Sequence, residues 1–136
     1  MTLWPEPVER IAKFLRESDA HGRLEELPPG VDSPPGAAVR AESYECDGRA
    51  LVALVPDDAD IDRNRLARRA GCSELRAAQD RTFPFPGARV IVDRSLLPLR
   101  TAWLEAGSPR HILGLSPSQI VRLTRAETGD FLLVAL

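Results

Sequence analysis

The chain has 136 residues, a formal net charge of −2 and a pI near 5.7, with 43% apolar and 5% aromatic residues. A chain of this length forms a single domain, residues 1–136, that buries about two-thirds of its unfolded surface around a mainly aliphatic core. The charge balance excludes a protein that grips nucleic acid through a global basic field and leaves room only for a local patch of arginines.

From the N-terminus, Pro5 to Asp19 is predicted as an amphipathic helix. Val8, Ile11, Ala12 and Leu15 recur at helical spacing, with Glu9, Arg10, Lys13 and Arg16 opposite, and Gly22 ends it. Arg23 to Leu27 is a short strand candidate. The stretch LPPGVDSPPG that follows is a stiff loop. Ala37 to Val55 reads as a β-hairpin turning on Asp47-Gly48, because Asp tolerates positive φ and Gly reaches it freely. Leu51 to Val55 is a continuous apolar run, as expected of a strand buried on both faces, whereas Val39 to Cys46 alternates without a clean apolar face.

Pro56 to Asp60 is an acidic loop. Asp62 caps a helix of about two turns through Ala70, with Leu66 and Ala70 inward and Gly71 as the stop. Ser73 to Ala77 is a possible strand, FPFPG at Phe83 to Gly87 a stiff turn, and ARVIVD at Ala88 to Asp93 a buried strand. Leu96 to Ala106 is mixed, with a turn of helix expected around Thr101 to Glu105. Gly107-Ser108-Pro109 is a tight loop feeding the strand Arg110 to Leu115. Ser116, Pro117 and Gln119 form a capping box ahead of Ile120, Val121 and Leu123, and a last strand is expected over Phe131 to Leu136. The total is an α/β (mixed α+β) domain whose sheet curls on itself beside flanking helices.

Cys46 and Cys72 have no metal or redox spacing. They could pair only if the hairpin turn met the loop after Gly71, so two reduced thiols in a cytoplasmic protein are expected. The N-terminal MTLWPEPVERIAKF has charges and prolines where a signal peptide needs an apolar stretch, and no run reaches membrane length.

Five segments in this order resemble the YbaK/EbsC family, the aminoacyl-tRNA deacylase fold that also occurs as the editing insertion of bacterial prolyl-tRNA synthetases. VERIAKFLRESD resembles its first helix and AVRAESYECDGRALVALV its central hairpin. DIDRNRLARRAG resembles the short helix that follows, RVIVDRSLL the family's V-Y-V-D-x-S-L strand, and AGSPRHILGLSPSQIVRLT its C-terminal segment. The resemblance implies a YbaK-like curled mixed β-sheet and a deacylase that hydrolyses the ester of a mischarged small amino acid on tRNA. It implies no cofactor and no metal. The implied partners are the 3′ end of aminoacyl-tRNA and an aminoacyl-tRNA synthetase, with no membrane.

The family places a lysine on the first hairpin strand, near the tRNA end, and a glycine-containing loop that holds the aminoacyl carbonyl. Arg40 stands at the lysine position, and Gly107 with Ser108 and Pro109 at the loop. Arg keeps the charge and can clamp a phosphate, but it carries no proton to or from a reaction. Two segments are trimmed: SPPG replaces a short helix, and FPFPG is a shortened pocket loop. Hence the alternative, a YbaK-like module without hydrolytic activity that binds tRNA ends or a protein partner.

Arg40 and Gly107 are therefore the candidate catalytic residues. Ser108, Pro109, His111, Tyr44, Asp93 and Ser95 are candidate substrate-binding residues. Each also has a plainer reading. Arg40 could pair with Glu42 or Glu45 at a strand edge, and Gly107 to Pro109 could be an ordinary turn. Asp93 and Ser95 could form an Asx-type turn, His111 could be structural, and Tyr44 and Trp103 could be core. His21 reads as a solvated residue at a helix end. No serine triad, metal cluster or phosphate-cradling glycine loop is visible.

Overall fold

The hairpin predicted at Asp47-Gly48 is the spine of the fold: φ is 51° at Asp47 and 83° at Gly48, and β2 (Val39–Cys46) and β3 (Arg49–Pro56) pair antiparallel along their full length. The computed structural model describes residues 4–134. Around the hairpin it places α1 (Glu6–Glu17), β1 (Arg23–Glu26), α2 (Arg63–Ala70), β4 (Leu75–Ala77) and β5 (Arg89–Asp93). A 3-10 turn (Arg94–Leu96), β6 (Ala102–Glu105), β7 (His111–Leu115), α3 (Pro117–Thr124) and β8 (Glu127–Gly129) complete it.

The strands form a sheet of order β4-β2-β3-β5-β8 and a second of order β1-β7-β6. The two meet at the head of β2, where Ala38 bridges Trp103 and Trp103 N–H donates to the Ala37 carbonyl at 2.9 Å. The fold is mixed α+β, as the pattern of elements implies. No helix among the described residues is long and apolar enough to cross a membrane.

β3 is central and buried on both faces because its side chains serve two cores. Val52 and Leu54 pack with Val90 and Val92 of β5 against Ile11 of α1, Ile120 of α3 and Leu113 of β7. Leu51, Ala53 and Val55 face the other way, onto Leu66 and Ala70 of α2 and onto Phe131. Period-two alternation sends neighbouring residues to opposite faces, so a run with no polar position is what a two-sided strand needs.

The helix ends follow their chemistry. Asp62 accepts from the backbone N–H groups of Asn64 and Arg65, and Gly71 takes the left-handed conformation at φ 76°. At α3 only half of the expected capping box forms. Ser116 Oγ accepts from Gln119 N–H at 3.3 Å, but Gln119 Oε1 is buried without a partner and returns no bond.

Three further expectations are corrected. Thr101 to Glu105 is not helical: Ala102, Trp103 and Leu104 are all buried and extended, and antiparallel pairing with β7 outweighs local propensity. The last strand comes earlier than predicted, at Glu127–Gly129, parallel to β5. Phe131 is instead buried under α2, and the chain beyond it ties back through Asp62 N–H to Phe131 O and Leu133 N–H to Asp60 O. Ala135 and Leu136 of the predicted strand lie outside the described residues.

The third correction concerns the cysteines. Cys46 and Cys72 form a disulfide, with Cα atoms 5.4 Å apart, in place of the two thiols expected. The condition for pairing is met because β4 docks on the end of β2. Asp47 then reaches over the turn to accept from Ser73 and Glu74 N–H.

Candidate functional site

β4 pairs with β2 only at Tyr44 to Cys46. Beyond it, the stretch Val39 to Glu42 lines a cleft of about 620 Å³ whose opposite wall is Glu105, Gly107, Pro109 and Ile112. Phe83 and Phe85, both buried, line the cleft without filling it. From the proline-rich loop, Asp32 and Pro34 contribute to the rim. Arg40 and the Gly107 loop therefore share one cavity.

Within it, Arg40 is heavily engaged. Nε and Nη2 donate to Glu42 Oε2 at 3.0 and 2.6 Å, Nη1 donates to the Asp57 carbonyl at 2.6 Å, and Nη2 to the Ala59 carbonyl at 2.7 Å. A guanidinium has five N–H donors, so a single one, on Nη1, remains. The pairing with Glu42 weighed from sequence is present; Glu45, at a β2 position of opposite facing, takes no part. Arg40 ties the β2 edge to the Pro56–Asp60 loop and presents the rest of its surface to the cleft.

Gly107 has φ 85°, and a Cβ there would lie 2.9 Å from Pro7 C and 3.0 Å from Val8 N, so only glycine lets the loop pass against the start of α1. Among the described residues, the N–H groups of Gly107 and Ser108 meet no backbone or side-chain acceptor. Two adjacent free N–H groups on a loop lining a cleft are suited to an oxyanion.

Ser108 and His111 lie behind the loop. Ser108 Oγ accepts from Arg110 N–H at 3.1 Å and lies 2.6 Å from His111 Nδ1. His111 is 4% exposed, with Trp4 packed edge-on against its ring at 5.4 Å.

The remaining candidates lie elsewhere. Tyr44 is buried against α2; its hydroxyl bonds Glu42 Oε1 at 3.1 Å and Arg63 sits over its ring. Burial, with the adjacent Glu42 charge and hydrogen bond, pushes its pKa up to about 12. Asp93 accepts from Ser95 N–H and Oγ–H on one oxygen and from Phe131 N–H on the other, the Asx-type turn read from sequence. Asp93 and Ser95 border a separate depression with Arg65 and Phe131. His21 is exposed, and Trp103 is buried while also lining the cleft.

Sequence reasoning missed the other charged groups of the cleft: Asp57, Asp80, Arg81 and Glu105. The acidic loop at Pro56–Asp60 was visible, but nothing in the chain order says that Asp80, after β4, comes to the same cleft. Among the described residues no group of His, Cys, Asp and Glu has the arrangement of a metal centre.

Neither a family model nor a curated protein matches the chain. Solved structures do. A protein proposed as a trans-editing enzyme for prolyl tRNA synthetase superposes with a TM-score of 0.81 at 20% identity, over 97% of this chain and 100% of that one. The hypothetical protein APE2540 gives 0.79 at 17% identity, over 91% and 99%. A proposed signal transduction protein from Marinobacter aquaeolei VT8 gives 0.73 at 19% identity, over 97% of this chain but 31% of its own. The resemblance to YbaK-type editing domains thus holds in the fold, and the same fold also occurs within a longer protein of another description.

Proposed function

We propose that this chain is an aminoacyl-tRNA editing deacylase that hydrolyses the ester between a mischarged small amino acid and the terminal ribose of tRNA. The supporting observation is the shared cleft. Its volume of about 620 Å³ lies in the range of small-molecule sites and suits the aminoacylated end of a tRNA. The fold likeness to a protein proposed to act beside prolyl tRNA synthetase supports the same class of substrate and a synthetase as partner. Such a role places the chain in the cytoplasm, and needs no cofactor.

The chemistry asks little of side chains. The free N–H groups of Gly107 and Ser108 stabilise the oxyanion as water adds to the ester carbonyl. The C–O bond to the ribose then breaks, and the ribose oxygen leaves with a proton. Arg40 neither takes nor gives that proton. It holds the β2 edge in place and offers its remaining N–H and its charge to the terminal nucleotide. The carboxylates of Asp57, Asp80 and Glu105 line the same cleft and suit the substrate's α-ammonium.

A second reading has its own support. With four of its donors consumed inside the protein, Arg40 has little left for a ligand, as in a module that binds tRNA ends or a protein without hydrolysis. The deciding experiment is deacylation of Ala-, Cys- and Ser-charged tRNAs, tRNA for proline among them, by wild type and Arg40→Lys. Ester hydrolysis by wild type above the spontaneous rate supports the deacylase. Tight tRNA binding with no hydrolysis supports the module.

A further inference from the structure

Behind the Gly107–Pro109 loop, the paired strands β1 and β7 set Glu26 opposite His111. Glu26 Oε1 lies 3.4 Å from His111 Nε2, a buried ring nitrogen that makes no hydrogen bond, the Glu26 contact being a close approach only. On the other side of the ring, Ser108 Oγ already accepts from Arg110 N–H. Ser108 Oγ also lies 2.6 Å from His111 Nδ1; with the ring proton on Nε2, facing Glu26, Nδ1 is bare and takes the Ser108 hydroxyl hydrogen. Among the described residues Glu26 is the acceptor within reach of that proton. A buried N–H without one is costly.

We infer that Glu26 is a positioning residue that, through His111 and Ser108, sets the geometry of the Gly107–Pro109 loop in the cleft; for catalysis this rests on the deacylase reading above. The chain runs in one direction, Ser108 O–H to Nδ1 and Nε2–H to the Glu26 carboxylate. Each bond chooses the next, because the neutral ring has one donor and one acceptor. Ser108 sits between Gly107 and Pro109, the two loop residues that line the cleft, so holding its hydroxyl holds the loop backbone there. Trp4 packs edge-on against the ring at 5.4 Å. None of the three side chains needs to touch the substrate.

Nitrogen-15 NMR of the full chain tests the arrangement without any substrate. The protein has two histidines, and His21→Gln assigns the other set of signals. In mildly alkaline buffer, wild-type His111 is expected as the Nε2–H tautomer with a hydrogen-bonded Nδ1. Glu26→Ala shifts it toward the Nδ1–H tautomer, and Glu26→Gln, which keeps an acceptor, restores it. An Nδ1–H ring in wild type, or a tautomer indifferent to Glu26→Ala, overturns the inference.

Kinetics supply the second arm. Glu26→Ala is expected to lower kcat for ester hydrolysis by roughly tenfold to a hundredfold through loop misplacement, with KM within about twofold and Glu26→Gln recovering most of the loss. Wild-type kcat in Glu26→Ala overturns the positioning role. A wild type that hydrolyses no ester sinks the deacylase reading instead, and the NMR result still decides whether the chain of bonds exists.

Discussion

Replacing Arg40 by alanine removes a tether as well as a charge. The guanidinium joins β2 to the loop after β3 through the carbonyls of Asp57 and Ala59, at 2.6 and 2.7 Å, and pairs with Glu42. Charge-assisted bonds to carbonyls contribute about 1.5 kcal/mol each at the low end, and part of that is regained as the freed carbonyls are hydrated. The ion pair adds at most about 1 kcal/mol, since the two side chains keep 31% and 35% of their surface in water. The sum is a loss of about 2–3 kcal/mol, or roughly 7–10 °C in Tm for a domain of this size. Thermal and urea unfolding followed by circular dichroism measure it, and Arg40→Lys should recover less than half because an ammonium cannot make the planar fork. A stability within about 0.5 kcal/mol of wild type would refute the tether, since surface changes away from real contacts stay inside that margin. The Arg40 charge would then be free for a ligand, and loss of hydrolysis in Arg40→Ala could be read as loss of substrate contact.

Three other outcomes are expected. Gly107→Ala should cost about 2–4 kcal/mol in urea unfolding, because a positive φ of 85° and a Cβ 2.9 Å from Pro7 C compound each other. Reducing the Cys46–Cys72 disulfide, which spans 26 residues of sequence, should lower stability by about 3.5 kcal/mol on the chain-entropy argument, read as a fall in the urea midpoint with added reductant. Disulfides are uncommon in the cytosol, so this would make the fold sensitive to its redox surroundings. Tyr44 is the only tyrosine, which makes its phenolate absorbance unambiguous. It should titrate near pH 12 when folded and near 10 when denatured, and because the folded pKa is the higher one, the stability it confers is full below about pH 10 and is lost as pH rises toward 12.

Most of the fold was legible because its signals are local. The Asp47-Gly48 turn, the Asp62 and Ser116 caps and the Gly71 stop each act on the backbone within a few residues, and the apolar run Leu51 to Val55 can only be a strand with both faces covered. What failed were the segments whose state depends on a distant partner. Ala102 to Glu105 is a strand because β7 pairs with it, and Phe131 leaves the sheet because the pocket under α2 holds it. The disulfide waited on β4 docking against β2.

The site divides in the same way. Arg40 and the Gly107 loop were picked out through the resemblance to the YbaK/EbsC family, and both line one cleft. Whether the Arg40 donors were free could not be read, since the carbonyls that take them belong to residues 17 and 19 positions away. Asp80 and Glu26 carried no mark at all: an acidic residue in a loop or on a short strand has the same local chemistry whether or not it faces a cavity or a buried imidazole. The sequence by itself determined the hairpin, the helix ends and the buried strands, because backbone conformation and hydrophobic period are written residue by residue. Tertiary structure alone decided which charges meet, because an ion pair or a hydrogen-bond chain is a property of distance in space.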